Sequence, residues 1–378
     1  MNLMKTKKNL LQTRTLLSLF LVVFFLSAGD VYSQEFKVRG RLHIDALYGI
    51  NDADNFSNGF NNRRARLGAG GKINDNWDGQ VEIDFADGGI APNDFRLRRN
   101  YENGSRLWIG QFKVPHGLNE LTSSNSITFI ERSSANNAFV TSRRMGIAYE
   151  FHGEQAGGKV MLYGRALGQR SSLDDNMPYG IGFRTYTSPS VGEESTLHLG
   201  ASVSFENLLD TTAVGFSDRP EARDSKGGSV RYLRATVPDA ENTLKAGVEF
   251  LFINGPLSIE SEFNLANVNR YVGENTAFYG FHVQASYVLT GESRRYSKGA
   301  VSGISPQGEN GAWELAARFS HVDLNDEDIS GGDQSNITLG VNYYISSRLR
   351  FMGNIIIVTS DKTDDTPVLG LVRAQYNF

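Results

Sequence analysis

Basic residues recur at every second position in three stretches of this chain. Lys37, Arg39, Arg41 and His43 alternate with apolar residues or glycine, Arg64 and Arg66 repeat the spacing, and so do Arg96 and Arg98. A period of two puts one set of side chains on a single face of a strand. Each stretch therefore presents a row of cations. A guanidinium suits such a row because its fixed fork of donors can replace part of the water around an oxyanion without losing charge. Together with Lys72, the three stretches carry eight Lys or Arg on that face against Asp45 and Asp94. The strand between the second and third turns Asp78, Glu82 and Asp84 the same way, so cross-strand ion pairs are expected for part of the set. A basic surplus is left over. Glu249, Glu260, Glu262 and Glu314 fall on the corresponding face elsewhere, and Arg318, Arg350 and Arg373 are equally suited to pairing with such carboxylates.

Other chemistries find little support. There is no cysteine, so disulfides and thiolate metal sites are excluded. The 6 histidines include no pair at ligand spacing, and neither a metal nor a cofactor is expected. His198 and Ser202 share a face with the cations, and no GxSxG elbow occurs, which argues against a hydrolase and against an enzyme generally. Asp323 to Asp328 opens like a calcium loop but lacks glycine at its sixth position. Nucleic acid is not an expected partner, because the chain is acidic overall, with 38 basic and 42 acidic residues.

The elements that must carry the cations are long amphipathic strands. Alternation runs through 36–48, 60–73, 77–87, 93–101, 105–113, 143–151, 158–166, 179–187, 196–205, 243–253, 257–268, 277–290, 311–321, 336–346, 349–358 and 368–378. Many exceed the usual five or six residues of a soluble strand, and membrane strands take about 9–11. The charged face is too polar for a packed interior, so the apolar face must lie outside. An even count of about 16 strands fits an all-β, transmembrane antiparallel β-barrel. If the first strand runs outward, the odd connections should be the longer, external ones. They include 49–59, 114–142, 167–178, 206–242 and 322–335. The 291–310 connection is long on the wrong side, and 228–236, which could also read as a strand, is assigned to a loop because a further strand would break the parity. Trp77, Trp313, Tyr101 and Phe378 fall where an interfacial aromatic girdle belongs, with Tyr376 and Phe378 on the lipid face of the last strand.

Export is written at the start of the chain. Lys5, Lys7, Lys8 and Arg14 precede an apolar run too short to span a bilayer, the pattern of a secretory signal peptide over residues 1–33. Its removal takes four basic residues and Asp30, leaving 34 basic against 41 acidic residues in a barrel domain over 34–378. The expected location is the outer membrane of a Gram-negative bacterium.

The 114–142 connection is too apolar for an exposed loop and is expected to fold inward against the barrel wall as a constriction. Its motifs are GQFKVPHG at 110–117 and LTSSNSITFIERS at 121–133, followed by RMG at 144–146. With DRPE at 218–221, VQASYVLTGESR at 283–294 and NYY at 342–344, they make the chain resemble the phosphate-selective porin O and P family from about residue 36 to 378. The resemblance implies a sixteen-stranded homotrimeric barrel whose constriction binds phosphate. It implies a central lysine, for which Lys113 is the candidate, and a loop funnel of arginines, for which Arg219, Arg223, Arg231 and Arg234 are candidates. Glu120, Glu131, Glu221 and Asp224 stand close to these cations in sequence.

The expectation is therefore a passive channel for small inorganic anions, phosphate or related oxyanions, through an Arg- and Lys-lined constriction. Lys113, Arg39, Arg41, Arg64, Arg66, Arg96 and Arg98 are the constriction candidates, and outer-membrane lipid and lipopolysaccharide are the expected surroundings. The alternative is a general diffusion porin, in which basic wall and acidic loop give a transverse field without a phosphate site. A structural or adhesion barrel with a closed lumen is the third class.

Overall fold

The computed structural model describes residues 36–168, 178–192, 195–208, 213–228 and 230–378. The expected signal peptide lies outside them. Twenty strands follow in chain order: β1 (Lys37–Asn51), β2 (Gly59–Lys72), β3 (Trp77–Asp84), β4 (Ala91–Asn100), β5 (Arg106–Lys113), β6 (Arg143–His152) and β7 (Ala156–Tyr163). Then come β8 (Tyr179–Thr187), β9 (Ser195–Asn207), β10 (Ala213–Asp218), β11 (Leu233–Pro238), β12 (Ala240–Asn254), β13 (Leu257–Arg270) and β14 (Thr276–Val288). The last are β15 (Tyr296–Ser297), β16 (Ala300–Val301), β17 (Ala312–Asp326), β18 (Ile329–Tyr344), β19 (Leu349–Ser360) and β20 (Val368–Asn377).

Sixteen of these close into one antiparallel barrel, while β10–β11 and β15–β16 are two separate hairpins. All sixteen alternating segments of the sequence become barrel strands. Closure pairs β1 with β20, from Arg41 opposite Asn377 to Asn51 opposite Val368. Phe378 then exchanges both backbone hydrogen bonds with Gly40, at 2.9 and 3.1 Å. A Cβ at Gly40 would stand 2.0 Å from the Phe378 ring, so any larger residue there has to push that ring aside. Each strand's polar backbone is thus satisfied by a neighbour, the condition for crossing hydrocarbon with strands.

Faces follow the alternation. Leu42, Ile44, Val248, Phe263, Leu315, Phe319, Leu339, Ile355 and Val372 are exposed on the outer surface, an apolar band that water would not tolerate and lipid would. Trp313 stacks on Tyr343 at 4.4 Å near the short-turn end. The inward positions are polar and buried, among them Glu260, Glu262, His282, Arg318, Asn342 and Arg373.

Three segments fold into the lumen. The 114–142 connection carries the short helices Leu118–Leu121 and Ser134–Phe139, the second capped by the Ser133 side chain accepting from the Asn136 backbone N–H. The β10–β11 hairpin lays Phe216, Leu233, Ala235 and Val237 on Phe139 and on the inward Val268, Phe278, Val322 and Leu324. This is a second, dry core inside the barrel near its long-loop end. From the opposite end the β14–β17 connection rises inside the wall, where Val301 packs with Leu118, Leu251 and Ile253.

These infoldings correct two expectations. The 322–335 connection is mostly strand, since β17 and β18 continue to a tight turn at Glu327-Asp328 with Glu327 in the left-handed region at φ 50°. The inward set there changes from Glu314, Arg318 and Ser320 to Val322 and Leu324, because it meets the hairpin instead of water. The 228–236 stretch does contain a strand, β11, but it pairs with β10 in the lumen and leaves the parity of the barrel intact.

Candidate functional site

The infolded segments narrow the lumen to a cavity of about 590 Å3. That is far more than the space a single water requires, and with its polar lining the cavity is wet. Eleven Lys or Arg side chains line it (Arg41, Arg63, Arg64, Arg66, Arg96, Lys113, Arg132, Arg143, Lys159, Arg184 and Lys298) against Asp94, Glu120 and Glu150.

The wall cations are ordered by cross-strand carboxylates. Arg66 donates to Asp84 at 2.7 Å and to Glu82 at 3.2 Å, while Arg41 reaches Glu82 at 3.0 Å and Ser124 Oγ at 2.9 Å. Arg143 binds Asp94 at 2.7 Å. Arg96 donates to Gln80 at 2.6 Å, and Arg98 to Asp78 at 2.9 Å. Arg64 approaches His43 Nδ1 at 3.5 Å. Among the described residues, Arg64, Lys159 and Lys298 have no carboxylate within the 4 Å at which the other ion pairs form. These three cations are not closed into carboxylate contacts, although Glu150 and Glu131 act on Lys159 and Arg64 from farther off.

The constriction loop is pinned by its own acids. Lys113 Nζ donates to the Glu120 carbonyl and stands 3.4 Å from the Glu120 carboxylate. Arg132 holds Glu120 from the other side at 3.3 Å and also donates to the carbonyls of Asn119 and Thr122 at 2.8 and 2.7 Å. Burial pushes the Glu120 carboxyl up, but Arg132 and Lys113 outweigh it and bring it down to about 2. Glu131 takes a forked contact from Arg63, one arm at 2.9 Å, and Arg373 bridges Asp45 at 2.6 Å to the Ile130 carbonyl at 2.7 Å. Glu221 fastens the β10–β11 loop to the wall, accepting from Arg318 Nε at 3.0 Å, Thr338 at 3.0 Å and the Ser134 backbone at 2.9 Å.

The acidic residues of the far wall are closed over. Glu249 is forked to Arg184 at 2.8 and 2.6 Å, and Glu314 receives Arg294 at 2.5 Å and Tyr344 at 2.7 Å. Glu260 and Glu262 accept from Asn119 of the constriction loop at 2.9 and 2.6 Å.

A second cavity of about 310 Å3 opens above, lined by Arg63, Arg219, Arg223 and Arg231 together with Glu131, Asp218 and Glu221.

The model of the phosphate-selective porin O and P family matches residues 36–378, the whole described chain. The chain belongs to that family. It is 25% identical to Porin O of Pseudomonas aeruginosa over 91% of this chain and 88% of that one. An uncharacterized protein of Caulobacter vibrioides is 27% identical over 86% of this chain and 68% of its own. Among solved structures, an anion-selective porin from Comamonas acidovorans superposes with a TM-score of 0.59 at 12% identity, over 92% of this chain and 100% of that one. The trimer form of OmpT from Vibrio cholerae gives 0.59 at 11% identity, over 92% and 100%. At these identities the structural likeness shows the fold. Family and fold together make this porin an outer-membrane channel of a Gram-negative bacterium, not an enzyme.

Of the constriction candidates read from the porin's sequence, Lys113, Arg41, Arg64, Arg66 and Arg96 share the main cavity. Arg98 stands on Asp78 beside it, and Arg39 is exposed near the short-turn end of β1. Arg219, Arg223 and Arg231 gather at the upper cavity, while Arg234 lies on the exposed face of β11.

Sequence reasoning passed over six cations of the main cavity. Lys159 and Arg184 sit at inward positions of strands it had drawn, so parity could have found them. Arg63 was hidden by a bulge, since the β1–β2 register shifts between His43 and Ile44 and turns Arg63 and Arg64 both inward. Arg132 and Lys298 lie on connections, where no periodicity applies, and Arg143 opens a strand at its mouth.

Proposed function

We propose that this porin conducts small anions passively, phosphate and related oxyanions foremost. In this reading an ion exchanges part of its hydration for Arg and Lys donors at several weak sites in series, so that binding does not block exit. The observation that carries it is the surplus of eleven cations over three carboxylates along the main cavity. Adding the carboxylates that hold those cations from behind, namely Asp78, Glu82, Asp84, Glu131 and Glu249, still leaves cations in excess. Lys113 with Arg41, Arg64 and Arg66 forms the narrow part, Arg96 stands at its short-turn edge, Arg39 and Arg98 flank it, and Arg219, Arg223 and Arg231 form the funnel above, with Arg234 on the approach. The family's description and the anion selectivity named for the Comamonas porin support the same direction.

A general diffusion porin needs an acidic surface facing the basic one across open water. Glu249, Glu260, Glu262 and Glu314 are buried beneath the infolded segments, which favours the anion reading. We also assign export to a signal peptide over 1–33, a lipid and lipopolysaccharide environment, and a homotrimer like the trimer form of OmpT. The test is phosphate titration of chloride current in planar bilayers. Block at low phosphate concentration is expected, and chloride current that ignores phosphate would return the protein to general diffusion.

A further inference from the structure

Below Lys113 the same strand turns Trp108 into the lumen, and three cations crowd its indole. Lys159 Nζ stands 3.4 Å from the ring centroid, the Arg96 guanidinium 4.3 Å and that of Arg98 5.2 Å. Lys159 also reaches within 4.7 Å of the Phe112 ring. The carboxylates nearby spend their close contacts on other donors, and Glu150 attracts Lys159 only from farther off. Glu150 accepts the Trp108 ring N–H at 3.0 Å and faces Arg106 at 3.5 Å and His152 at 3.7 Å. Asp78 holds Arg98 at 2.9 Å and meets Arg96 only at 4.0 Å. Lys159 has no carboxylate within 4 Å among the described residues.

An aromatic face attracts a cation but does not cancel its charge. Indole therefore fixes Lys159 and Arg96 in place while leaving their field open to the lumen, which a carboxylate would not do. Like charges gathered on one ring repel each other, and a mobile anion between them relieves that repulsion. Lys113 stands in the opposite condition, capped by Glu120. Trp108 and Lys113 are five residues apart on β5, about 16 Å at the rise of a strand. Trp108 pairs with Arg98 toward the short-turn end.

We propose that Lys159 and Arg96, seated on Trp108, form a second anion site on the short-turn side of the constriction, taking a partly dehydrated inorganic oxyanion such as phosphate. The site rests on the anion-channel reading and adds a step after the narrow part. Its charge comes from cations carried on an aromatic ring, so Trp108 is the residue that positions them.

Trp108 reports on its own site once the other two tryptophans, Trp77 and Trp313, are replaced by phenylalanine. In the folded, detergent-held W77F/W313F protein, iodide should quench Trp108 strongly, and phosphate should protect it competitively. Lys159→Met should lower the quenching slope about fivefold, the weight of one water-screened charge contact. K159R should restore it, separating charge from packing. Equal quenching with and without Lys159 would overturn the site, and so would a K159R protein that stays as weakly quenched as Lys159→Met. The wild-type reversal potential under a salt gradient separates the two ideas. Anion preference with Lys159-independent quenching removes only this site, whereas absent preference removes the channel reading, whatever Trp108 reports.

Discussion

Lys113 is not a free cation in the pore: its ammonium donates to the backbone carbonyl of Glu120 and lies 3.4 Å from the same residue's carboxylate. The residue that the resemblance marks as central thus acts through a partner seven residues on, in the short helix Leu118–Leu121 of the infolded connection. Glu120→Gln should release the Lys113 charge and raise the anion-to-cation permeability ratio. Lys113→Glu should place two acids together and abolish or reverse anion preference. Reversal potentials in single-channel recordings check both, and identical potentials for all three proteins would remove Lys113 from the path.

Acid should loosen the constriction loop. The Glu120 carboxyl is depressed from 4.5 to about 2, because Arg132 and Lys113 outweigh the upward push of burial. A depressed carboxylate contributes stability that is complete above its unfolded value and is lost as pH falls through its folded one. The window here runs from pH 4.5 down to 2. Glu131 shifts in the same direction, as Arg63 overcomes its burial. Current noise and protease access to 114–142 should rise across that window, and E120Q should show the noise already at neutral pH.

The Arg373–Asp45 pair is a buried anchor under the same loop, with Arg373 almost fully enclosed. Arg373→Leu leaves Asp45 buried without its partner, and breaking such a pair costs about 3–5 kcal/mol. The expected readout is a lower temperature for loss of the compact, heat-modifiable gel band. Removing both members, Asp45→Leu with R373L, should recover much of the loss.

Phe216 holds the β10–β11 hairpin inside the barrel by standing between Phe139 at 6.2 Å and Phe278 at 5.3 Å. Phe216→Ala should cost about 3–5 kcal/mol of local packing. Because the barrel ladder does not pass through the hairpin, the loss should appear as hairpin release: higher conductance and new cleavage within 213–238, with the barrel intact.

At the seam, Gly40→Val should hinder closure, since even a first side-chain carbon meets the Phe378 ring. Overpacking of this kind costs about 1–3 kcal/mol. Refolding yield into detergent is the measurement, and a yield equal to that of the native protein would show that the Phe378 ring moves aside freely.

The barrel was legible because lipid outside and water inside impose one rule on every strand. Leu42, Ile44 and Arg41, His43 obey it without reference to anything distant. The rule stops where the lumen is not water. Val322 and Leu324 turn apolar side chains inward onto the hairpin, so a real strand reads as a loop. Arg63 escaped because one inserted residue in β2 shifts the register, and a bulge leaves no mark in composition. The β14–β17 connection could not be placed, since its reason to fold upward lies in partners distant in sequence. Tyr296 meets His198 at 2.7 Å, and the Gly299 carbonyl accepts from Arg184 at 2.9 Å. Glu120 and Glu221 looked like acids that would dilute the basic funnel. Their bonds show them as fasteners of the loops that carry it.

The most direct test of the account is the zero-current potential of the purified protein in a planar bilayer under a tenfold KCl gradient. The lumen described above predicts the sign set by chloride, moving toward zero as K113E and Lys159→Met are introduced. A potential set by potassium in the native protein would contradict it.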